Sequence, residues 1–550
     1  MRNLLLFAPA AFLFFLSCKD SKELKSGNNI IVYNKIITSS DDATIKTTSG
    51  MVGGYTDDGV HIYKGIPYAE AERFMPPVTP EPWEGIRSSR AYGPTCPQGK
   101  RTGWYSDEQA FAFDWDDGFQ DENCLRVNIW TQGINNGKKR PVMVWLHGGG
   151  YSAGSGQELP AYDGKSLCKT GDVVVVSLNH RLNILGFLDL SAYGDKYAKS
   201  GNIGLLDIIA ALQWVKDNIS AFGGDPSNVT IFGQSGGGGK VSTLLAMPSA
   251  AGLFHKAIVQ SGSMLQTMTT KYSRRIGAIV VEELGIKASN IDDIRNVPYQ
   301  QLLEAGNKAV ERVRMEAERE GFSTFIFGWA PTVDGDILPT QPFDTQAPAI
   351  SKDIPMLIGS TLHEFLGSAY NPALKNITID EAKSELEKRF GARTNEFIKV
   401  FGSVFPNFKP VDLLDVDLIF RPGVVKQATL KAAQQGAPVY MYMFAWESPV
   451  LNGKFRSTHC MELPFVFNNI SRCRYMTGDS EDAYTLADLM SSAWINFART
   501  GDPNADGLPE WKPYIPEEGA TMFFDKSCRI KYNHDKELLD IAYSFPIRGF

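Results

Sequence analysis

Residues 228–239 read Asn228-Val229-Thr230-Ile231-Phe232-Gly233-Gln234-Ser235-Gly236-Gly237-Gly238-Gly239. Val229, Ile231 and Phe232 mark the end of a buried strand. Gly233 to Gly237 then form a G-x-S-x-G. A serine at a sharp strand-to-helix turn sits in a strained backbone position, and side chains two residues to either side would collide with the turn; glycine at both places relieves this. The hydroxyl is then presented above the carboxyl edge of a sheet, at the N-terminus of the next helix, where backbone N–H groups stabilise an oxyanion. Alone, G-x-S-x-G is a weak signal. Its value rests on an oxyanion loop upstream and an acid and a histidine downstream.

Those partners are sought at strand ends. Upstream, the apolar run 141–146 reads as a strand buried on both faces and leads through His147 into Gly148-Gly149-Gly150. The N–H groups of Gly148 and Gly149, with that of Gly236, are the oxyanion donors this order predicts. Downstream, 354–358 reads as a strand with Glu364 just past it, which makes Glu364 the candidate acid. After it only His459 and His534 remain. His459 follows the strand 438–444 and a turn, whereas His534 lies in a charged tail, so His459 is the candidate base. His363 adjoins Glu364, but side chains of adjacent residues point apart. Alone, Ser235 reads equally as a turn residue, Glu364 as a solvated or capping acid, and His459 as a satisfied loop histidine; the set in chain order at strand ends carries the argument.

The rest of the chain alternates apolar strands with helices: strands at 124–130, 172–178 and 256–260, and helices at 205–219, 238–245, 274–284, 299–321 and 482–499. Thr378 and Glu381 form a capping box that opens a helix to Phe390. This order predicts an α/β fold, a large mostly parallel sheet covered on both faces. The stretch 102–119 is rich in aromatics (Trp104, Tyr105, Phe111, Phe113, Trp115, Phe119) and reads either as a cleft wall or as a loop anchored by its rings.

The chain has 550 residues, 43% hydrophobic and 21% charged, with net charge -7 and no basic run, which excludes a nucleic-acid partner. No metal-ligand spacing is present, and no cofactor is called for. Arg2 is followed by an apolar run from Leu4 to Leu16, then Ser17-Cys18-Lys19-Asp20. Such a run is too short to span a bilayer and fits a signal peptide. Residues 1–17 resemble a bacterial lipoprotein signal, with Cys18 as the lipid-modified first residue and the membrane contact made only there; a secretory signal cut nearby is the alternative. Residues 18–42 then read as a polar tether and 43–550 as one catalytic domain. Six further cysteines pair in fifteen ways, and the sequence does not choose.

From about 43 to 545 the chain resembles the type B carboxylesterases, which include the cholinesterases within the α/β-hydrolase fold. The resemblance rests on Gly65-Ile66-Pro67-Tyr68-Ala69 with Arg73-Phe74, Glu122-Asn123-Cys124-Leu125, His147 to Gly150, Asn179-His180-Arg181-Leu182, Gly201 to Asp207, Phe222 to Pro226 and Gln260-Ser261-Gly262-Ser263. It implies Glu364 and His459 as acid and base, and a disulfide joining Cys96 to Cys124. Three departures stand out: His180 for tyrosine, Gln234-Ser235-Gly236 for E-S-A, and Phe365 for a glycine. Without a carboxylate beside the serine, a cationic, choline-like substrate is not expected. The expectation is an exported ester hydrolase with a Ser-His-Glu triad and an acyl-enzyme, acting on small to medium uncharged esters. A silent binding or adhesion protein of the same fold, or a specialised polysaccharide-ester or amide hydrolase, are the alternatives.

Overall fold

The computed structural model describes residues 36–37, 43–99, 106–321 and 328–545. The leader 1–17, Cys18, all of the tether but residues 36–37, and Trp104 and Tyr105 lie outside them.

Twelve strands form the central sheet: β1 (Ile36–Ile37), β2 (Tyr55–Asp57), β3 (Val60–Pro67), β4 (Arg126–Thr131), β5 (Arg140–Leu146), β6 (Val174–Leu178), β7 (Gly224–Gln234), β8 (Lys256–Gln260), β9 (Met356–Thr361), β10 (Val439–Phe444), β11 (Thr521–Phe524) and β12 (Arg529–Lys531). Their spatial order is β1-β2-β3-β4-β6-β5-β7-β8-β9-β10-β11-β12. From β6 to β11 every neighbouring pair is parallel. The edges are antiparallel: β1 to β4 on one side, joined to β6, and β12 on the other. This is the expected α/β-hydrolase arrangement.

The apolar runs explain the burial of the centre. In β5, Val142, Val144 and Leu146 face one core, while Met143 and Trp145 face the other. Alternation by two thus feeds two apolar layers, and both are covered by helices. α1 (Ile203–Asn218) and α2 (Gly236–Leu244) cover the first. Then follow α3 (Thr270–Glu283), α4 (Tyr299–Arg319), α5 (Ile379–Phe390), α6 (Phe420–Ala432) and α7 (Glu481–Thr500), the last packing its Met490, Trp494 and Phe497 on the second core. The Thr378–Glu381 capping box at the start of α5 forms as expected.

Two quoted motifs meet through one buried pair. Arg181 donates from Nε and Nη2 to Asp207 at 2.8 and 2.6 Å, and from Nη1 to the Glu72 and Met75 carbonyls. A buried ion pair is tolerated when its remaining donors are filled, as here. Cys96 and Cys124 are both buried, and the disulfide expected between them is not formed in this structure. The aromatic stretch splits by residue: Phe113 enters the core, Trp115 is half-buried, and Phe111 and Phe119 are exposed. Among the described residues, none of that stretch lines the cavity introduced below. No helix among them is long and apolar enough to cross a membrane.

Candidate functional site

Ser235 follows β7 and precedes α2, with φ 57° and ψ -127°. A non-glycine residue at positive φ is strained, at a cost of ~1–3 kcal/mol, and persists where the surroundings impose it. Here the imposition is visible. The Ser235 N–H donates to the Gln260 carbonyl at 2.8 Å, and its own carbonyl accepts from Gly239 N–H at 3.0 Å. The glycines around it are sterically required. A Cβ on Gly233 would lie 2.6 Å from the Gly237 carbonyl carbon; one on Gly237 would lie 1.9 Å from the Leu146 oxygen; one on Gly236 would lie 2.0 Å from the Gly150 oxygen.

Glu364 is fully buried beyond the end of β9. Its Oε1 accepts from the Thr361 N–H at 2.8 Å, and its Oε2 is hydrogen-bonded to His459 Nδ1. The Glu364 backbone carbonyl takes the His459 N–H at 2.9 Å and the Thr458 hydroxyl at 3.2 Å. The imidazole is thus fixed at both ends of its residue, with Nδ1 occupied and Nε2 turned away from the acid. The rings of Phe365 and Phe420 pack on it, centroids 4.9 and 5.3 Å away. The bulk that replaces a small residue at 365 therefore becomes one wall of the imidazole slot. The Gln234 amide nitrogen lies 3.3 Å from both ring nitrogens, and its oxygen accepts from the Cys460 thiol at 3.1 Å. Ser235 Oγ and His459 are not hydrogen-bonded to each other in this structure.

Electrostatics around His459 are one-sided. Burial acts to lower its pKa, but the charge and hydrogen bond of Glu364, with Glu462 and Asp417 behind it, hold the imidazole above its ordinary value. Glu462 and Asp417 are each pushed up to about 7, by burial first and by the charge of Glu364 second. Asp417 is steadied by N–H groups of Ile419, Phe420 and Arg421 at the start of α6.

Other histidines lie elsewhere. His363 is buried and bonded through Nδ1 to Ser457 Oγ at 2.7 Å, and burial draws its pKa far down. His534 is packed edge-on to Phe523 and drawn down to about 3 by burial.

Ser235 and Gly236 are half-buried at the floor of a cavity of about 820 Å³. Its walls are mainly apolar: Tyr151, Met264, Leu265, Trp329, Ile419 and Phe420. Its two charged lining residues are Asp344, which accepts from Gln266 at 2.6 Å, and Lys426 at the exposed rim. Of the glycine loop, Gly150 lines this cavity together with Gly236. Gly148 lies beneath, its α-carbon facing the Gln234 carbonyl and Ser235 Cβ. Gly149 and Gly150 have φ of 82° and 64°, and neither N–H finds a backbone acceptor among the described residues. The sequence reading chose the first two glycines of the triplet. The third was not singled out, and a consecutive run of three glycines holds no internal signal of which one turns outward. No group of three or more His, Cys, Asp or Glu among the described residues is arranged to hold a metal ion.

The carboxylesterase family model matches residues 41–401 and 409–541. The para-nitrobenzyl esterase of Bacillus subtilis is 38% identical over 517 residues, covering 92% of this chain and 99% of its own length. The phenmedipham hydrolase of Pseudarthrobacter oxydans is 33% identical over 487 residues, covering 86% and 94%. Among solved structures, an esterase of Clostridium hathewayi that hydrolyses aliphatic aromatic polyesters matches with TM-score 0.81 at 38% identity, covering 93% of this chain and all of that one. The Geobacillus stearothermophilus carboxylesterase matches with TM-score 0.73 at 34% identity, covering 91% and 99%.

Proposed function

Because this chain belongs to the carboxylesterase family, and is a serine ester hydrolase, we propose that Ser235, His459 and Glu364 are its catalytic triad and that it cleaves small to medium uncharged esters. The observation that carries the reading is the Glu364–His459 hydrogen bond beside a strained serine that opens into an apolar cavity.

In this reading Nδ1–H of His459 donates to Glu364, which leaves Nε2 as the base. Nε2 takes the Ser235 proton as Oγ attacks the ester carbonyl, and Glu364 stabilises the imidazolium. The N–H groups of Gly236 and of the loop Gly148-Gly149-Gly150 hold the oxyanion. Gly150 joins the expected pair because it shares the cavity floor with Ser235. Each such donor is worth ~3 kcal/mol of barrier. His459 then protonates the leaving alcohol. A water activated by the same imidazole releases the acid. The bond between Ser235 Oγ and His459 is one that forms in the substrate complex, where such bonds tighten.

A cavity of this size falls within the range that holds small ligands, ~300–1,000 Å³. Hydrolysis of p-nitrophenyl esters from acetate to palmitate tests the assignment. Short and medium acyl chains are expected to be cleaved fastest. A rate that climbs steadily to palmitate would overturn the substrate class, and no cleavage of any ester would overturn the function.

The same assay carries a pH test. His459 must be neutral to act, and Glu364 raises its pKa. kcat/KM is therefore expected to rise with pH and to reach half its plateau above ~6.5, the ordinary imidazole value. Glu364→Gln removes the raising charge, so the rising limb is expected to move to lower pH as the plateau falls. A limb that stays in place would show that Glu364 does not act on the essential base.

Export belongs to the same proposal. Residues 1–17 would direct it, Cys18 would carry the lipid, and the catalytic domain from residue 43 would face the periplasm or the cell surface. Radiolabelled palmitate incorporated by the full chain and lost in Cys18→Ala is the expected result.

A further inference from the structure

One buried cation lies outside the proposed triad. Lys240, on the second turn of α2, is fully buried. A lysine without solvent is costly unless its ammonium is hydrogen-bonded or paired. Its Nζ donates to the backbone carbonyl of His147 at 2.8 Å and lies 5.8 Å from the centre of the Tyr151 ring. Glu158 is the carboxyl whose charge acts on it.

The His147 carbonyl occupies a particular place, immediately before Gly148-Gly149-Gly150. That loop meets α2 backbone to backbone. The Gly150 oxygen lies against the α-carbon of Gly236, and the Leu146 and His147 oxygens lie against Gly237. Two of the three loop glycines are at positive φ, so the loop has little conformational restraint of its own. On its far side it is held by the Gly149 carbonyl, which accepts from the Ser152 and Ala153 N–H groups. On its near side the His147 ring is hydrogen-bonded through Nδ1 to the Gly148 carbonyl at 3.0 Å, within the loop itself, and the side chain that reaches the loop from α2 is Lys240, on the helix that Ser235 caps and Gly236 begins.

We propose that Lys240 is a positioning residue for the oxyanion site, clamping the His147 end of the glycine loop to helix α2 so that N–H groups from both elements converge on one oxygen. The proposal rests on Ser235 as nucleophile with donors from Gly236 and the loop. The clamp acts on the site that binds developing charge, so its loss is felt in the transition state more than in substrate binding.

The test compares Lys240→Met, which keeps length without a donor, with Lys240→Gln, which keeps a donor without charge. The readouts are kcat and KM on p-nitrophenyl butyrate, and the inhibition constant of an aryl trifluoromethyl ketone. The ketone accepts a serine oxygen and so mimics the tetrahedral intermediate. Lys240→Met is expected to lower kcat about 10- to 100-fold, the scale of a displaced site. KM should stay within twofold and ketone affinity should fall in parallel with kcat; Lys240→Gln should recover part of both. A folded Lys240→Met with unchanged kcat, or one with lowered kcat and unchanged ketone affinity, overturns the proposal. Should Lys240→Met fail to fold, Lys240→Leu, which also lacks a donor, decides by the same criteria: lowered kcat with parallel loss of ketone affinity supports the clamp, and unchanged values overturn it. Ser235→Ala runs alongside. If it retains activity, the nucleophile assignment is at fault; if it is inactive while Lys240 variants are fully active, only the clamp fails.

Discussion

Ser235→Ala is expected to lower kcat on p-nitrophenyl butyrate by roughly 10⁵- to 10⁶-fold without loss of fold. The scale is that of removing the nucleophile from a serine–histidine unit. A residue of activity, ~10³–10⁴-fold over water, survives such a change because the oxyanion donors and the binding cavity remain. Stability is expected to be unchanged for a structural reason. The Ser235 hydroxyl makes no hydrogen bond among the described residues, so its removal leaves no buried partner unpaired. The backbone bonds that impose the turn, to Gln260 and Gly239, survive with alanine. Circular dichroism and the thermal midpoint check the fold; single-turnover kinetics check the rate.

His459→Ala is expected to cost nearly as much, and the double variant Ser235→Ala with His459→Ala no more than either alone. Nucleophile and base act on one proton, so once either is lost the other contributes nothing further. Additive losses in the double variant would mean that the two side chains act in separate steps. The imidazole also fills the slot between Phe365 and Phe420. Some loss of stability is therefore expected from His459→Ala, in contrast to Ser235→Ala, and the thermal midpoints of the two variants measure that difference.

The proposed nucleophile and acid stand out in the sequence because Ser235 and Glu364 follow closely on strands, and strand ends have local signatures. The elbow is marked by glycines that steric contact requires, and the contacts of Gly233 and Gly237 in the structure are of that kind. Glu364 is singled out by its place after an apolar strand, and His459 by elimination, since only it and His534 follow Glu364 in the chain. What was not legible depends on contacts between residues far apart in the chain. Phe420 reaches the imidazole from α6, a helix not anticipated because buried Arg421 and Lys431 interrupt its apolar spacing. Those charges are accommodated by distant partners, Asp535 for Arg421 and the Lys352 carbonyl for Lys431, which no local pattern announces. Lys240 was invisible for the same reason. In sequence it reads as a surface lysine on a helix, and only the approach of the His147 carbonyl shows that it is buried. The cavity wall is likewise assembled from the separate stretches 262–267, 328–330 and 419–426, and so had no single signature.

The role of Ser235 as nucleophile is checked by mapping the adduct of an alkyl p-nitrophenyl methylphosphonate. Oγ forms a bond to phosphorus, p-nitrophenolate leaves with the bonding pair, and the serine proton passes to His459. Peptide mass spectrometry of the full chain is expected to find one adduct, on Ser235, formed in proportion to the activity lost and missing from Ser235→Ala. An adduct on any other residue that tracks the loss of activity would rule out Ser235 as the nucleophile.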